Sequence, residues 1–260
     1  MPLHQLLEKL AVVAAEGALL FLLSRALFAW VLQALASRHP HRRGGWVVLL
    51  VRLPGNLIHE ISHALGFLLC GYRVRRLIPC IFDSAGAGAC VPGKPWSPVA
   101  VPWLGTGLAA LAPLLLGSWV LYGVAGWMNL PLLDHALSAA DPGRSVLRSL
   151  FHGLLTLDFH SGRTWLFLYL AFTIGAELAP SSTDVRLGIP ALLAVTALTL
   201  AVLLGVYQLA PAAPLRVVVV REVTLGLAWL TRLFSCAILT TLTALALTLI
   251  PAAILRGARG

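Results

Sequence analysis

The chain has 260 residues, of which 59% are hydrophobic and only 11% are charged, and its mean hydropathy is +0.88. A soluble domain is usually about half apolar and about one-quarter charged, so this composition excludes an ordinary soluble protein. The formal net charge is +9, but the basic residues occur in short clusters between apolar runs, which suits lipid headgroups and argues against nucleic acid as a partner. Residues 1–260 are therefore expected to form a single integral membrane domain.

Six apolar segments are long enough, or nearly so, to cross a bilayer, which takes about 20 residues. They lie at 10–36, 46–70, 103–127, 164–179, 187–209 and 233–255. The sequence therefore predicts an all-α polytopic membrane protein with about six transmembrane segments. Residues 210–232 begin with a linker of prolines and alanines and are expected to lie on the surface. Lysine and arginine are divided nearly equally between the two sides of such an arrangement, so its orientation stays open.

A different pattern follows the second segment, at residues 71–92. The run Tyr72–Ile78 partly alternates polar and apolar residues, and Pro79 and two glycines follow it. Its arginines exclude a lipid-facing core helix, so we expect a β-hairpin or a re-entrant loop. Cys80 and Cys90 could form a disulfide across this hairpin in an oxidising compartment; otherwise they are small apolar residues.

A candidate metal-binding motif lies within the second segment. His59 and His63 are four residues apart, so a helix places both imidazoles on one face, one turn apart, where they can share a zinc ion. Glu60 follows the first histidine and can accept a proton from water at such a site. Polar residues in an apolar segment are costly and usually functional, although they can also simply bond neighbouring helices.

Two histidines leave a zinc site short of one protein ligand. The candidates are Asp184, Asp158, Glu177, His160 and His152. Asp184 follows a proline that breaks the preceding helix, so the turn can direct its carboxylate inward, but it can equally cap the helix that follows. Asp158 lies in a polar loop, whereas Glu177 can pair with an arginine or orient a metal ligand from behind.

The order of motifs resembles a known group of proteins. Residues 54–64, PGNLIHEISHA, are similar to the metal helix of the site-two-protease group of intramembrane zinc metalloproteases. Residues 71–76 and the glycine-rich turn after them resemble that group's β-hairpin, and 109–117 resemble its small-residue helix with a central proline. Residues 179–184, APSSTD, occupy the place of the motif that supplies an aspartate ligand. The resemblance covers about residues 50–210.

The resemblance implies a catalytic core at about 46–210, with Zn²⁺ bound by His59, His63 and Asp184 and with Glu60 as the general base. It also implies an endopeptidase that acts on transmembrane or membrane-proximal segments of membrane proteins or peptides. The substrate would add as an extended chain to an exposed hairpin strand. We expect the protein in the prokaryotic cell (inner) membrane.

The sequence departs from the group at the aspartate motif. Its usual Asn-x-x-Pro-x-x-x-Leu-Asp-Gly form is absent: Glu177 stands near the place of the asparagine, and Asp184 is followed by Val185. The chain thus resembles a divergent branch. The alternative function is a non-proteolytic membrane scaffold, chaperone or transporter that keeps the fold. Transporters usually carry paired repeats, which this sequence lacks, and the intact His-Glu-x-x-His motif favours the peptidase.

Overall fold

A computed structural model describes residues 3–38, 46–80, 88–97, 101–128, 155, 157–209 and 214–257. Its helices are α1 (Leu3–Arg38), α2 (Trp46–Leu69), α3 (Pro102–Trp127), α4 (Gly162–Glu177), α5 (Ser182–Leu209) and α6 (Pro214–Gly257). Its strands are β1 (Tyr72–Ile78) and β2 (Ala89–Pro95). The mostly helical architecture that the sequence predicts is confirmed for these residues.

Four helices are long and apolar enough to cross a membrane, which indicates a membrane protein. Within the described ranges, these candidate spans are Leu3–Trp30, Pro102–Trp127, Ser182–Gln208 and Arg216–Ala246. The predicted number of about six spans is not confirmed, because α2 and α4 are not among them. Helix α4 has only 16 residues, and α2 carries polar and charged side chains at positions 52, 56, 59, 60 and 63.

Helix α6 corrects the expected boundary of the last segment. It begins at Pro214 and continues without a break, so the apolar segment predicted at 233–255 is part of a longer helix. The proline and alanine linker expected at the beginning of 210–232 lies, up to residue 213, outside the described residues. Proline is well suited to the first turn of a helix, where its missing N–H is not needed. Val220 and Leu227 are buried seven residues apart, so this part of α6 already packs against the rest of the protein.

Helices α1 and α6 share the main apolar core. Leu6, Val13 and Leu20 of α1 recur every seven residues and are buried together with Leu227 and Phe234 of α6. A seven-residue repeat keeps one stripe of a helix in contact with its neighbour. This contact between α1 and α6 includes Leu227, so α6 is already packed against α1 at residues that precede the predicted apolar segment at 233–255.

The two strands form the small antiparallel sheet that was predicted after the second apolar segment. Tyr72 lies opposite Pro95 and Ile78 opposite Ala89. The β-hairpin expected over 71–92 is thus confirmed, and its second strand extends to Pro95. All four cysteines are free, so the disulfide considered across the hairpin is not formed. Burial raises the pKa of the β2 thiol Cys90 to about 11.

Glycines allow the helices around α2 to approach closely. A Cβ at Gly66 of α2 would lie 2.8 Å from Cα of Ala109 in α3, and a Cβ at Gly107 would lie 2.5 Å from the carbonyl oxygen of Leu187 in α5. A Cβ at Gly55 would collide with the backbone of α4. These contacts bring the end of α4 and the start of α5 beside the polar part of α2.

Candidate metal centre

Three potential metal ligands converge between α2 and α5. Nε2 of His59 lies 3.1 Å from Nε2 of His63. Oδ2 of Asp184 lies 3.5 Å from Nε2 of His63 and 3.9 Å from Nε2 of His59. The structure thus brings together the two histidines of the motif and one of the carboxylates considered for the third position.

Main-chain carbonyl groups fix the orientation of both imidazoles. Nδ1 of His59 is 2.6 Å from the carbonyl oxygen of Glu177, and Nδ1 of His63 is 2.9 Å from that of Ala109. A carbonyl oxygen only accepts hydrogen bonds, so each Nδ1 must donate, and each neutral ring then directs an Nε2 lone pair inward. Two lone pairs and a carboxylate oxygen face one another, and their repulsion is relieved by a shared proton or by a metal cation.

The donor set and its spacing fit zinc. Two imidazoles and one carboxylate are a usual ligand set of catalytic zinc sites, with bonds of about 2.0–2.2 Å to the metal, so the ligand atoms of a tetrahedral site lie about 3.4 Å apart. The three observed separations of 3.1, 3.5 and 3.9 Å scatter around that value. Each histidine also donates its other ring N–H to a carbonyl group, as metal-binding histidines usually do.

The Asp184 carboxylate both faces the histidines and stabilises the start of its own helix. Its Oδ2 accepts a hydrogen bond from the Ser181 N–H at 2.8 Å, and the Ser181 hydroxyl accepts one from the Asp184 N–H at 3.2 Å. This reciprocal pair is a capping box, in which Ser181 is the cap. The helix therefore begins at Ser182, and the Asp184 side chain, 16% exposed, is directed toward both imidazoles.

A serine of α1 holds the link that connects α4 to α5. The buried Ser24 hydroxyl accepts a hydrogen bond from the Ala179 N–H at 2.7 Å and donates one to the Ala176 carbonyl at 3.3 Å. Pro180 follows directly, and it cannot donate a backbone hydrogen bond to continue α4. The turn that carries the third candidate ligand is thus fixed from outside by α1.

Glu177, the last residue of α4, orients the site without supplying a side-chain ligand. Its Oε1 lies 2.7 Å from Nε of Arg52, and the two side chains are only 9% and 13% exposed. The guanidinium of Arg52 also lies 5.2 Å from the centre of the Phe28 ring. The Glu177 carboxylate is therefore committed to an ion pair, while its carbonyl oxygen holds His59.

Glu60 lines the same cavity as the three candidate ligands. The cavity has a volume of about 440 Å³, which is within the usual range for a ligand site, and Glu60 is only 4% exposed. Gly88, with φ +79°, lies at its edge, where a Cβ would be 2.8 Å from Glu60 Oε1 and from the Asn56 amide. Asn56 in turn accepts a hydrogen bond from the Cys80 N–H at 2.8 Å, so the residues that follow β1 are tied to α2.

Two other candidates for the third zinc ligand, Asp158 and His160, do not lie beside His59, His63 and Asp184. Asp158 and His160 are exposed in the turn before α4, where Asp158 accepts a hydrogen bond from the His160 N–H at 2.9 Å. Helix α4, with its 16 residues, is about 24 Å long and separates them from the end at Glu177. His152 lies outside the described residues.

Sequence reasoning assigned no role to Arg52, Asn56, Ser24 or the Ala109 carbonyl. Periodicity could have identified the first two, because Arg52 precedes His59 by two helical turns and Asn56 precedes Glu60 by one. Polar residues that recur at this spacing in an apolar segment belong to one face. No comparable pattern marks the other two, because their contacts depend on which helices pack together.

No protein-family model matches this chain, and no curated protein or solved structure matches it. The assignment of a function therefore depends on the geometry of the chain's own residues.

Proposed function

We propose that this protein is a membrane-embedded zinc metallopeptidase, a divergent member of the site-two-protease group. The observation that carries the proposal is the convergence of three hydrogen-bond acceptors, two Nε2 atoms and one carboxylate oxygen, within 3.9 Å of one another. His59, His63 and Asp184 would hold the zinc ion. Glu60, buried in the same cavity, is the neighbouring group without a place among these ligands.

Bound zinc supplies Lewis acidity, which lowers the pKa of water toward about 7 and polarises a peptide carbonyl. Glu60 acts as the general base: it accepts a proton from the attacking water and returns it to the leaving amine nitrogen. The carbonyl groups of Glu177 and Ala109 keep both imidazoles in the tautomer whose Nε2 is free to bind metal. The Arg52–Glu177 ion pair fixes the backbone that carries one of these carbonyl groups.

The substrate is a transmembrane or membrane-proximal segment in an extended conformation, because a helical peptide bond is shielded and already hydrogen-bonded. A two-stranded sheet leaves one edge of each strand unpaired, and such an edge can accept an extended chain. Ala89 and Cys90, at the start of β2, line the cavity together with Glu60. A peptide added along this strand would therefore pass close to the general base. We place the protein in the prokaryotic cell (inner) membrane.

The test measures zinc and peptide cleavage in the same preparations. The wild type, His59→Ala and Glu60→Gln are purified in detergent, and each is assayed for metal content and for cleavage of a transmembrane-peptide library. We expect one zinc per chain and cleavage in the wild type, neither in His59→Ala, and zinc without cleavage in Glu60→Gln. If the wild type contains zinc but, like Glu60→Gln, cleaves no member of the library, the result would favour the non-proteolytic alternative.

The alternative to a peptidase is a non-proteolytic scaffold, chaperone or transporter, with or without zinc. The specific observation against it is that Glu60 is buried in the cavity that the three candidate ligands line. A structural zinc site would need no general base, and a buried carboxylate is costly to retain without a function.

A further inference from the structure

The β-hairpin carries positive charge that the surrounding residues do not balance. Four of its side chains, which we call the hairpin cations, are exposed: Arg73, Arg75, Arg76 and Lys94. Between residues 71 and 101 the sequence has one acidic residue, Asp83, which lies outside the described residues, so the segment has a formal charge of 4 − 1 = +3. None of the four forms an ion pair with a described residue.

Apolar and aromatic side chains are exposed among these charges. Leu77 and Val91 are 40% and 39% exposed on the strands, and Trp96 and Trp103 are 59% and 54% exposed where the hairpin joins α3. Tryptophan together with basic residues is typical of the zone where lipid headgroups meet the hydrocarbon layer. A surface in contact with water alone does not account for this combination.

The base of the hairpin is fixed to the start of a candidate membrane span. The Trp96 N–H donates a hydrogen bond to the Gly71 carbonyl at 2.8 Å, and a Cβ at Gly105 in α3 would lie 2.7 Å from the Tyr72 ring. Helix α3 begins at Pro102 and is a candidate span over its whole length. The hairpin is therefore held at the level where α3 enters the membrane.

We propose that the hairpin cations form a binding surface for the headgroups of anionic phospholipids. Arginine binds phosphate through paired N–H donors, and the negative surface potential of the membrane attracts the cluster as a whole. The proposal requires neither zinc nor peptidase activity.

The test compares two lipids whose headgroups differ in charge. The full chain, in a neutral detergent, is titrated with phosphatidylglycerol or phosphatidylcholine that carries brominated acyl chains, and tryptophan fluorescence is recorded. We expect half-maximal quenching at a roughly tenfold lower concentration of phosphatidylglycerol. Added salt should remove the difference, because it screens exposed charges. The triple variant Arg73→Gln, Arg75→Gln and Arg76→Gln should lose the preference.

The matched control removes three arginines elsewhere and changes the net charge equally: Arg163→Gln, Arg216→Gln and Arg221→Gln. This control should keep the preference for phosphatidylglycerol. The proposal is overturned if the wild type shows no preference, as expected if the hairpin binds an acidic protein instead. It is also overturned if the hairpin variant keeps the preference while the control loses it. A wild type without a preference overturns the proposal even if a variant does not fold.

Discussion

Oδ2 of Asp184 lies 3.5 Å from Nε2 of His63, although the two residues belong to helices far apart in the sequence. The histidine is fixed from behind by the Ala109 carbonyl, and the carboxylate is fixed by the Ser181 N–H. Because both groups are held by their own neighbours, they face each other in an arrangement that a metal ion can enter with little rearrangement.

Removal of both histidines should abolish metal binding. We expect the double variant His59→Ala and His63→Ala to lose the single zinc of the wild type, because only one ligand of the proposed three remains. The measurement is elemental analysis after purification without chelators. The exposed histidine His160 gives the control, since His160→Ala should retain the metal. Zinc retained in full by the double variant would contradict the site.

Glu60→Gln should separate metal binding from catalysis. The amide keeps the size of the side chain but cannot accept the proton, so cleavage should fall by about a hundredfold to ten-thousandfold while the zinc content is unchanged. Peptide cleavage and metal content are measured in the same preparation, with the exposed Glu222→Gln as the control. Loss of zinc together with activity would show that Glu60 is a ligand and not a base.

The two roles of Asp184 can be separated by changing its partner. Asp184→Asn should weaken zinc binding by tenfold or more, because a neutral amide is a poor ligand. Ser181→Ala removes the cap and keeps the carboxylate, so it should lower the free energy of unfolding by about 1 kcal/mol and leave zinc binding nearly intact. Competition with a chelator and chemical unfolding measure the two effects. Equal zinc affinities in the two variants would support a capping role alone.

The buried pair Arg52–Glu177 should show strong energetic coupling. Either single change, Arg52→Met or Glu177→Gln, leaves one charge buried without its partner and should destabilise the fold by about 3–5 kcal/mol. The double variant should be less destabilised than the sum of the two. Unfolding measurements on all four proteins give the coupling energy. Additive effects would mean that water screens the pair and that the pair does not fix the Glu177 carbonyl, which contacts His59.

Gly55 should tolerate no larger residue. Gly55→Ala places a Cβ against the backbone of α4 at Thr173, so the two helices must separate, and we expect lower stability and weaker zinc binding. Gly205 is the matched control, since nothing lies within 4 Å of a Cβ there, and Gly205→Ala should stabilise its helix by about 0.5–1 kcal/mol. Thermal unfolding and metal titration compare the two. A neutral Gly55→Ala would mean that α2 and α4 are not in close contact.

Local features of the chain could be predicted from the sequence because they depend on residues near one another. The spacing of His59 and His63 places both rings on one face of α2 whatever the rest of the protein does. The run from Tyr72 to Ile78, with Pro79 after it, has the alternation and the breaker of a hairpin strand. Composition alone indicated a membrane protein, since burial of so many apolar residues requires lipid.

The tertiary structure decided what depends on packing between distant segments. The sequence offered Asp184, Asp158 and Glu177 as carboxylates, and it had no means to rank them by distance. The Glu177 carboxylate forms an ion pair with Arg52, and Asp158 lies at the far end of α4. The close contact of α3 with α5 brings Asp184 to the histidines.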